Sequence, residues 1–148
     1  MHDGSEQLVG VLFTNLGVLP NSYIVHADIL FDIDEVKPAS ADQVMIAITA
    51  EANVAARLPR AENGDISSRP RVNVSVQWSP EPSAAVHDDL VSPDIGPVVQ
   101  AVVGMPGWSL NGSLFLIFSH VASAGHHGVR WVEQARINNG VQTPQLRI

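Results

Sequence analysis

VNVSVQWSP (Val72–Pro80), SPDIGPVVQAVVGMPGW (Ser92–Trp108) and GSLFLIF (Gly112–Phe118) follow one another closely in this chain and decide how it folds. In the first stretch Val72, Val74, Val76 and Trp78 alternate with Asn73, Ser75, Gln77 and Ser79, the period of two that places one face of a strand in a core. Pro80 and Pro82 stop it. In the second, Ser92 reads as an N-cap with Pro93 in the first helical turn. Ile95, Val98, Val99, Val102 and Val103 then recur at helical spacing until Gly104 and Pro106 end the element. This spacing predicts one short helix around residues 93–103. Leu114 to Phe118 is apolar throughout, as a central strand covered on both faces would be.

The flanking sequence adds strands and no second helix. Leu8–Phe13 is a short apolar run closed by turn residues at Gly17–Asn21. Val25, Ala27, Ile29, Phe31 and Ile33 alternate with polar positions, which predicts a long strand with an acidic outer face. Gln43–Ala50 repeats that pattern. Glu51–Ser68 loses the rhythm and reads as a long surface loop, with a turn of helix near Ala52–Leu58. Val129–Val132 and Gln145–Ile148 supply the last two strands. At least seven short strands, one helix and no βαβ rhythm predict an all-β chain: one domain, residues 1–148, built as an antiparallel two-sheet β-sandwich of jelly-roll type.

With 148 residues, 45% of them hydrophobic and 16% charged, the chain can bury a single sizeable core. No apolar run reaches the roughly 20 residues of a membrane-spanning helix. Cysteine is absent, which excludes disulfides and thiolate metal sites. The net charge of −7 is uneven, because residues 1–56 hold eight acids and one base while residues 57–148 hold seven of each. That balance argues against nucleic acid, which requires a basic face. Seven of the eight bases are arginine, suited to bidentate pairing with carboxylates in the fold or in an acidic ligand.

Several groups of polar residues invite a site and are better explained by the fold. Asp28, Asp32, Asp34 and Glu35 offer oxygen ligands for calcium, but same-face neighbours on a strand lie roughly 7 Å apart and do not chelate as a curved loop does. A face neutralised by Arg57, Arg60, Arg69 and Arg71 is expected instead, and no cofactor. His120, His126 and His127 lack the spacing of a zinc motif and read as residues of a solvated loop. Ser119-His120 and Asp88-Asp89 do not form a nucleophile elbow, so no enzyme is expected. Trp108 and Trp78 are expected to plug the core.

VGVLFTNLGVLPNSYIVHADILF (Val9–Phe31), ISSR (Ile66–Arg69), VSVQWSP (Val74–Pro80) and SPDIGPVVQAVVGMPGW (Ser92–Trp108) together resemble the DNRLRE-type carbohydrate-binding modules, lectin-like β-sandwiches of secreted bacterial proteins. The resemblance implies a non-catalytic module that binds a polysaccharide or surface glycan outside the cell or on its surface. Glu51, at the end of a strand where such modules carry an acid, joins Arg130, Trp131 and Glu133 as the expected ligand set. An aromatic face and charged hydrogen-bonding groups are what sugars bind. Such modules also carry a strand before the point where this chain starts, so an open sheet edge, or one filled by another chain, is expected. That edge supports an alternative role as a structural subunit of a coat, filament or membrane-associated complex. No leader segment, with a basic stretch before an apolar one, stands at the N-terminus.

Overall fold

The computed structural model describes residues 8–35, 44–60, 64–81, 85–121, 131–132 and 143–148. They form eight strands and one helix: β1 (Leu8–Phe13), β2 (Asp28–Glu35), β3 (Ile46–Ala50), β4 (Val76–Trp78), β5 (Asp89–Val91), α1 (Gly96–Val103), β6 (Leu114–His120), β7 (Trp131–Val132) and β8 (Gln145–Arg147). The chain is mostly β, with two antiparallel sheets and one short helix. The first sheet has the order β1-β6-β3-β4, and the second has β2 at its centre, with β5 on one side and both β7 and β8 on the other.

β6 is central, as its uninterrupted apolar run predicts. It pairs with β1 from Leu114↔Phe13 to Ser119↔Leu8, and with β3 from Leu116↔Ala50 to His120↔Ile46. Its side chains serve two cores. Leu114, Leu116 and Phe118 join Ile29 and Phe31 of β2, Ile48 and Ala50 of β3, and Ile95, Val98, Val99 and Val102 beside and within α1. Phe115 and Ile117 point the other way and are covered by Ala56 and Ile66 of the long loop. Each such aliphatic or aromatic side chain, fully buried, stabilises the fold by roughly 1.5–3 kcal/mol. Phe31 joins the two sheets directly, stacking on Trp78 at 5.8 Å and meeting Phe118 edge-on at 5.9 Å.

Helix α1 begins three residues later than its predicted start, and the reason is a competing demand from β2. Ser92 does not cap the helix: its hydroxyl accepts the Ile29 N–H at 2.9 Å, and Asp94 Oδ1 accepts the N–H groups of Ala27 at 3.0 Å and Gly96 at 2.8 Å. The Ser92 and Ile95 N–H groups donate in turn to the carbonyls of Ile29 and Ala27. Residues 92–95 therefore continue β5 along β2 by alternating side-chain and backbone bonds, satisfying groups that burial would otherwise strand. Ile95 takes the N-cap position without a side-chain bond, and Pro97 supplies the proline of the first turn.

Other boundaries also shift. Val25 is exposed and lies outside β2, because the Ile24 N–H donates to Gln100 Oε1 at 2.7 Å instead of joining a ladder. β4 covers only Val76–Trp78; nearer Val72, the Val72 N–H bonds the Ala50 carbonyl and the Thr49 hydroxyl bonds the Val74 carbonyl. β5 was not expected from sequence. Ala52–Leu58 forms no helical turn, since Ala55 bridges Ser113. Trp108 is a buried plug, its indole N–H donating to the Val18 carbonyl at 2.9 Å and its ring lying against Gly112.

Candidate loop cleft

Residues 51–60 leave the end of β3 and residues 64–70 return beside it to Arg71, which bridges Glu51. Apolar contact anchors the loop through Ala56 and Ile66 on Phe115 and Ile117. Ionic contact organises it. Arg69 extends over the Phe115 ring, its guanidinium carbon 4.3 Å from the ring centre, and donates to Glu51 Oε2 at 2.7 Å and to Asp65 Oδ2 at 2.8 Å. The same guanidinium donates to the Arg57 carbonyl at 2.8 Å, fixing the far strand of the loop. Glu51 is buried, and its second oxygen accepts the Asn53 amide at 3.1 Å.

These charges stabilise one another. Hydrogen bonding from Arg69 comes first among the effects that hold the Asp65 carboxyl below its ordinary range, with the Arg60 backbone N–H and charge adding to it. Burial works to lower the Arg69 pKa, and the hydrogen bonds from Asp65 and Glu51 outweigh it and raise that pKa above its usual value. Over this framework lies an open cleft of about 460 Å³, lined by Glu51, Asn53, Arg57, Leu58, Arg60 and Arg69, with Asp65 and Ser68 at its side. Arg57, Leu58 and Arg60 are exposed there.

Of the four residues expected to bind a ligand, Glu51 lines this cleft, but as part of an internal ion pair with Arg69. Arg130 and Glu133 lie outside the described residues, as do His126 and His127. Trp131 is described in its backbone alone, where β7 pairs it with Glu35 of β2. The cleft side chains not expected at a site from sequence include Asn53, Arg57, Leu58, Arg60, Asp65, Ser68 and Arg69; the i, i+4 spacing of Asp65 and Arg69 was the available signal.

On the acidic face of β2, the two carboxylates whose side chains are described, Asp28 and Asp32, are paired differently from expectation. Arg147 of β8 pairs with Asp28, which also meets His26 at 3.1 Å, and His87 lies 2.9 Å from Asp32. Of the loop arginines, Arg69 is drawn instead to Glu51 and Asp65. Among the described residues no group of three or more His, Asp or Glu side chains converges as a metal ion would require. Comparison of the chain with family models, with curated proteins and with solved structures gave no match.

Proposed function

We propose that this chain is a non-catalytic recognition module of jelly-roll β-sandwich type that binds a polysaccharide or surface glycan, outside the cell or on its surface, in the cleft lined by Glu51, Asn53, Arg57, Leu58, Arg60 and Arg69. The observation that carries this reading is the cleft itself: an open depression with charged and apolar lining side chains, on a loop held by a buried ion-pair framework. A site whose supporting side chains are locked before the ligand arrives loses little entropy on binding. The likeness of Val9–Phe31, Ile66–Arg69, Val74–Pro80 and Ser92–Trp108 to DNRLRE-type modules supports it. A polysaccharide array probed with the tagged chain tests the proposal. Saturable binding to at least one polysaccharide, competed by the same polymer in solution, is expected; no binding to any neutral or acidic polymer overturns it.

A second reading, a structural subunit in a larger assembly, is favoured by β1. Among the described residues this strand has a neighbour on one side only. Among the described residues the other outer strands are short: β4, β5 and β8 have three residues each and β7 two, with Pro80 just beyond β4 and Asp88-Asp89 at the start of β5. β1 is six residues long, LVGVLF, without a charge or a proline to deter pairing. Size-exclusion chromatography with light scattering tests this: a concentration-dependent mass that Val9→Lys abolishes is expected, and a monomer at every concentration removes the reading.

A further inference from the structure

We infer that the occupant of the β1 edge is a second copy of this chain, paired antiparallel about a two-fold axis at Gly10; this rests on the assembly reading of β1. Two observations carry it: which backbone groups the strand turns outward, and the order of its side chains. On β6 the Phe115 carbonyl accepts the Glu51 N–H, and just beyond it the Val121 N–H donates to the Met45 carbonyl, so the odd-numbered residues turn their backbone groups toward β3. Backbone direction alternates along a strand. Leu114, Leu116 and Phe118 therefore bond β1, through their partners Phe13, Val11 and Val9. The N–H and C=O groups of Leu8, Gly10 and Leu12 are left pointing away from β6, and among the described residues no strand takes them.

The sequence of this edge reads the same in both directions: Leu8-Val9-Gly10-Val11-Leu12 is a palindrome centred on Gly10. A two-fold contact brings one patch against itself, residue i meeting j where j meets i, so self-complementarity is what it demands. With the axis at Gly10, Leu8 lies opposite Leu12 of the second copy, Val9 opposite Val11, and Gly10 opposite Gly10. All three outward residues then form hydrogen-bonded pairs, each pair exchanging two bonds. A register shifted by two residues in either direction leaves fewer such pairs within β1 and sets leucine against glycine. LVGVLF carries no charge, so a copy brings no like charge opposite its own.

The side chains fit the same axis. Val11 and Phe13 pack into the main core, and Val9, on the same face, is 55% exposed. Opposite Val11 of the second copy it acquires a β-branched neighbour, with about 4.5 Å between Cα atoms. On the other face Leu8 and Leu12 border the cluster of Ala56, Phe115 and Ile117, and leucine pairs join the two clusters across the axis. Gly10 brings no side chain to the axis, its place on that face being filled by the Phe115 ring. Such a contact closes on itself, giving a dimer whose first sheet runs through both copies.

Cysteine cross-linking of the full chain tests the register, because the native sequence has no cysteine to compete. Val9 and Val11 of opposite copies form a non-hydrogen-bonded pair within disulfide reach, whereas Val9 to Val9 and Val11 to Val11 are diagonal, roughly 7–8 Å apart. Under mild oxidation, a mixture of Val9→Cys and Val11→Cys chains should therefore give a linked dimer that neither variant gives alone, with circular dichroism confirming that both are folded. Light scattering of the native chain, which depends on neither variant, should show a mass that doubles with concentration and rises no further. Linkage within one variant alone overturns the axis at Gly10, and a mass beyond two chains overturns the closed dimer; both leave the assembly reading standing. A dimer that gives no linked product in any combination pairs elsewhere and overturns the inference. A monomer at every concentration overturns the inference and the assembly reading together.

Discussion

Replacing Arg69 with methionine isolates the energetics of the loop framework, because methionine keeps much of the volume over Phe115 while removing the charge. Arg69 and Glu51 are 11% and 10% exposed in their side chains, so the substitution strands a desolvated carboxylate whose remaining described side-chain partner is Asn53. Removing one partner of a buried ion pair costs about 3–5 kcal/mol, and the lost cation–π contact adds about 0.5–1 kcal/mol. Some solvent reaches the pair and Asp65 moves into water, which places the expected loss near the lower end, about 3 kcal/mol. For a chain of this length that lowers Tm by roughly 6–12 °C. Urea unfolding followed by tryptophan fluorescence measures it, an unchanged m value confirming that the unfolded state is the same. The companion Glu51→Gln/Arg69→Met should recover about half of the loss, since it removes the stranded charge. A loss below about 1 kcal/mol, typical of exposed pairs, or a double variant as unstable as the single one, would refute the view that a buried pair organises this loop.

Three further outcomes follow from the same structure. A Cβ added at Gly10 would lie 2.1 Å from the Phe115 ring, which is fully buried, so Gly10→Ala should cost about 1–3 kcal/mol in a thermal melt; an unchanged melt contradicts this packing. Ser92→Ala removes the acceptor of the buried Ile29 N–H and should destabilise by about 1–2 kcal/mol in urea, whereas a neutral result would mean that Ser92 does not clip the approach to α1 onto β2. The hydrogen bond from Arg147 holds the Asp28 carboxyl below its ordinary range, with His26 contributing further. A depressed folded pKa stabilises above the unfolded value, near 3.9, and that stabilisation is lost as pH falls through the folded pKa. The gap in Tm between the native chain and Asp28→Asn should therefore narrow between about pH 5 and pH 3, and a gap that stays constant would count against the pair.

The parts of the fold legible in sequence are those where one local pattern has one physical use. Leu114–Phe118 can be apolar at every position only if both faces are covered, and both are. Ile95, Val98, Val99 and Val102 can share a face only on a helix, and all are buried. Where a residue had two competing uses the sequence was ambiguous: Ser92 has the chemistry of a cap, yet the unsatisfied edge of β2 claims it. β5 escaped notice because three residues carry too little periodicity to register. Charge pairing was the least legible, since it depends on chain segments far apart in sequence. Nothing local to Asp28 announces a partner 119 residues away, and the choice of Arg69 for Glu51 depends on the loop returning over Phe115.

That return links the two surfaces for which functions are proposed. The Phe115 ring lies between Gly10 of β1 and the Arg69 guanidinium, and Arg69 in turn holds Glu51, Asp65 and the Arg57 carbonyl. A stack therefore runs from the outer strand of the first sheet to the wall of the cleft. Substitutions at Gly10 would disturb both ends at once and could not separate a glycan-binding module from an assembly subunit. Val9 can. Leu8 and Leu12 pack with Phe115, whereas Val11 and Phe13 pack into the main core, so strand alternation places Val9 on the face away from the stack. Val9 is itself 55% exposed. A lysine there charges the strand edge without touching the ring under Arg69. If Val9→Lys dissolves an oligomer while polysaccharide binding persists, the edge and the cleft serve separate partners. If it abolishes both, the cleft depends on a neighbouring chain.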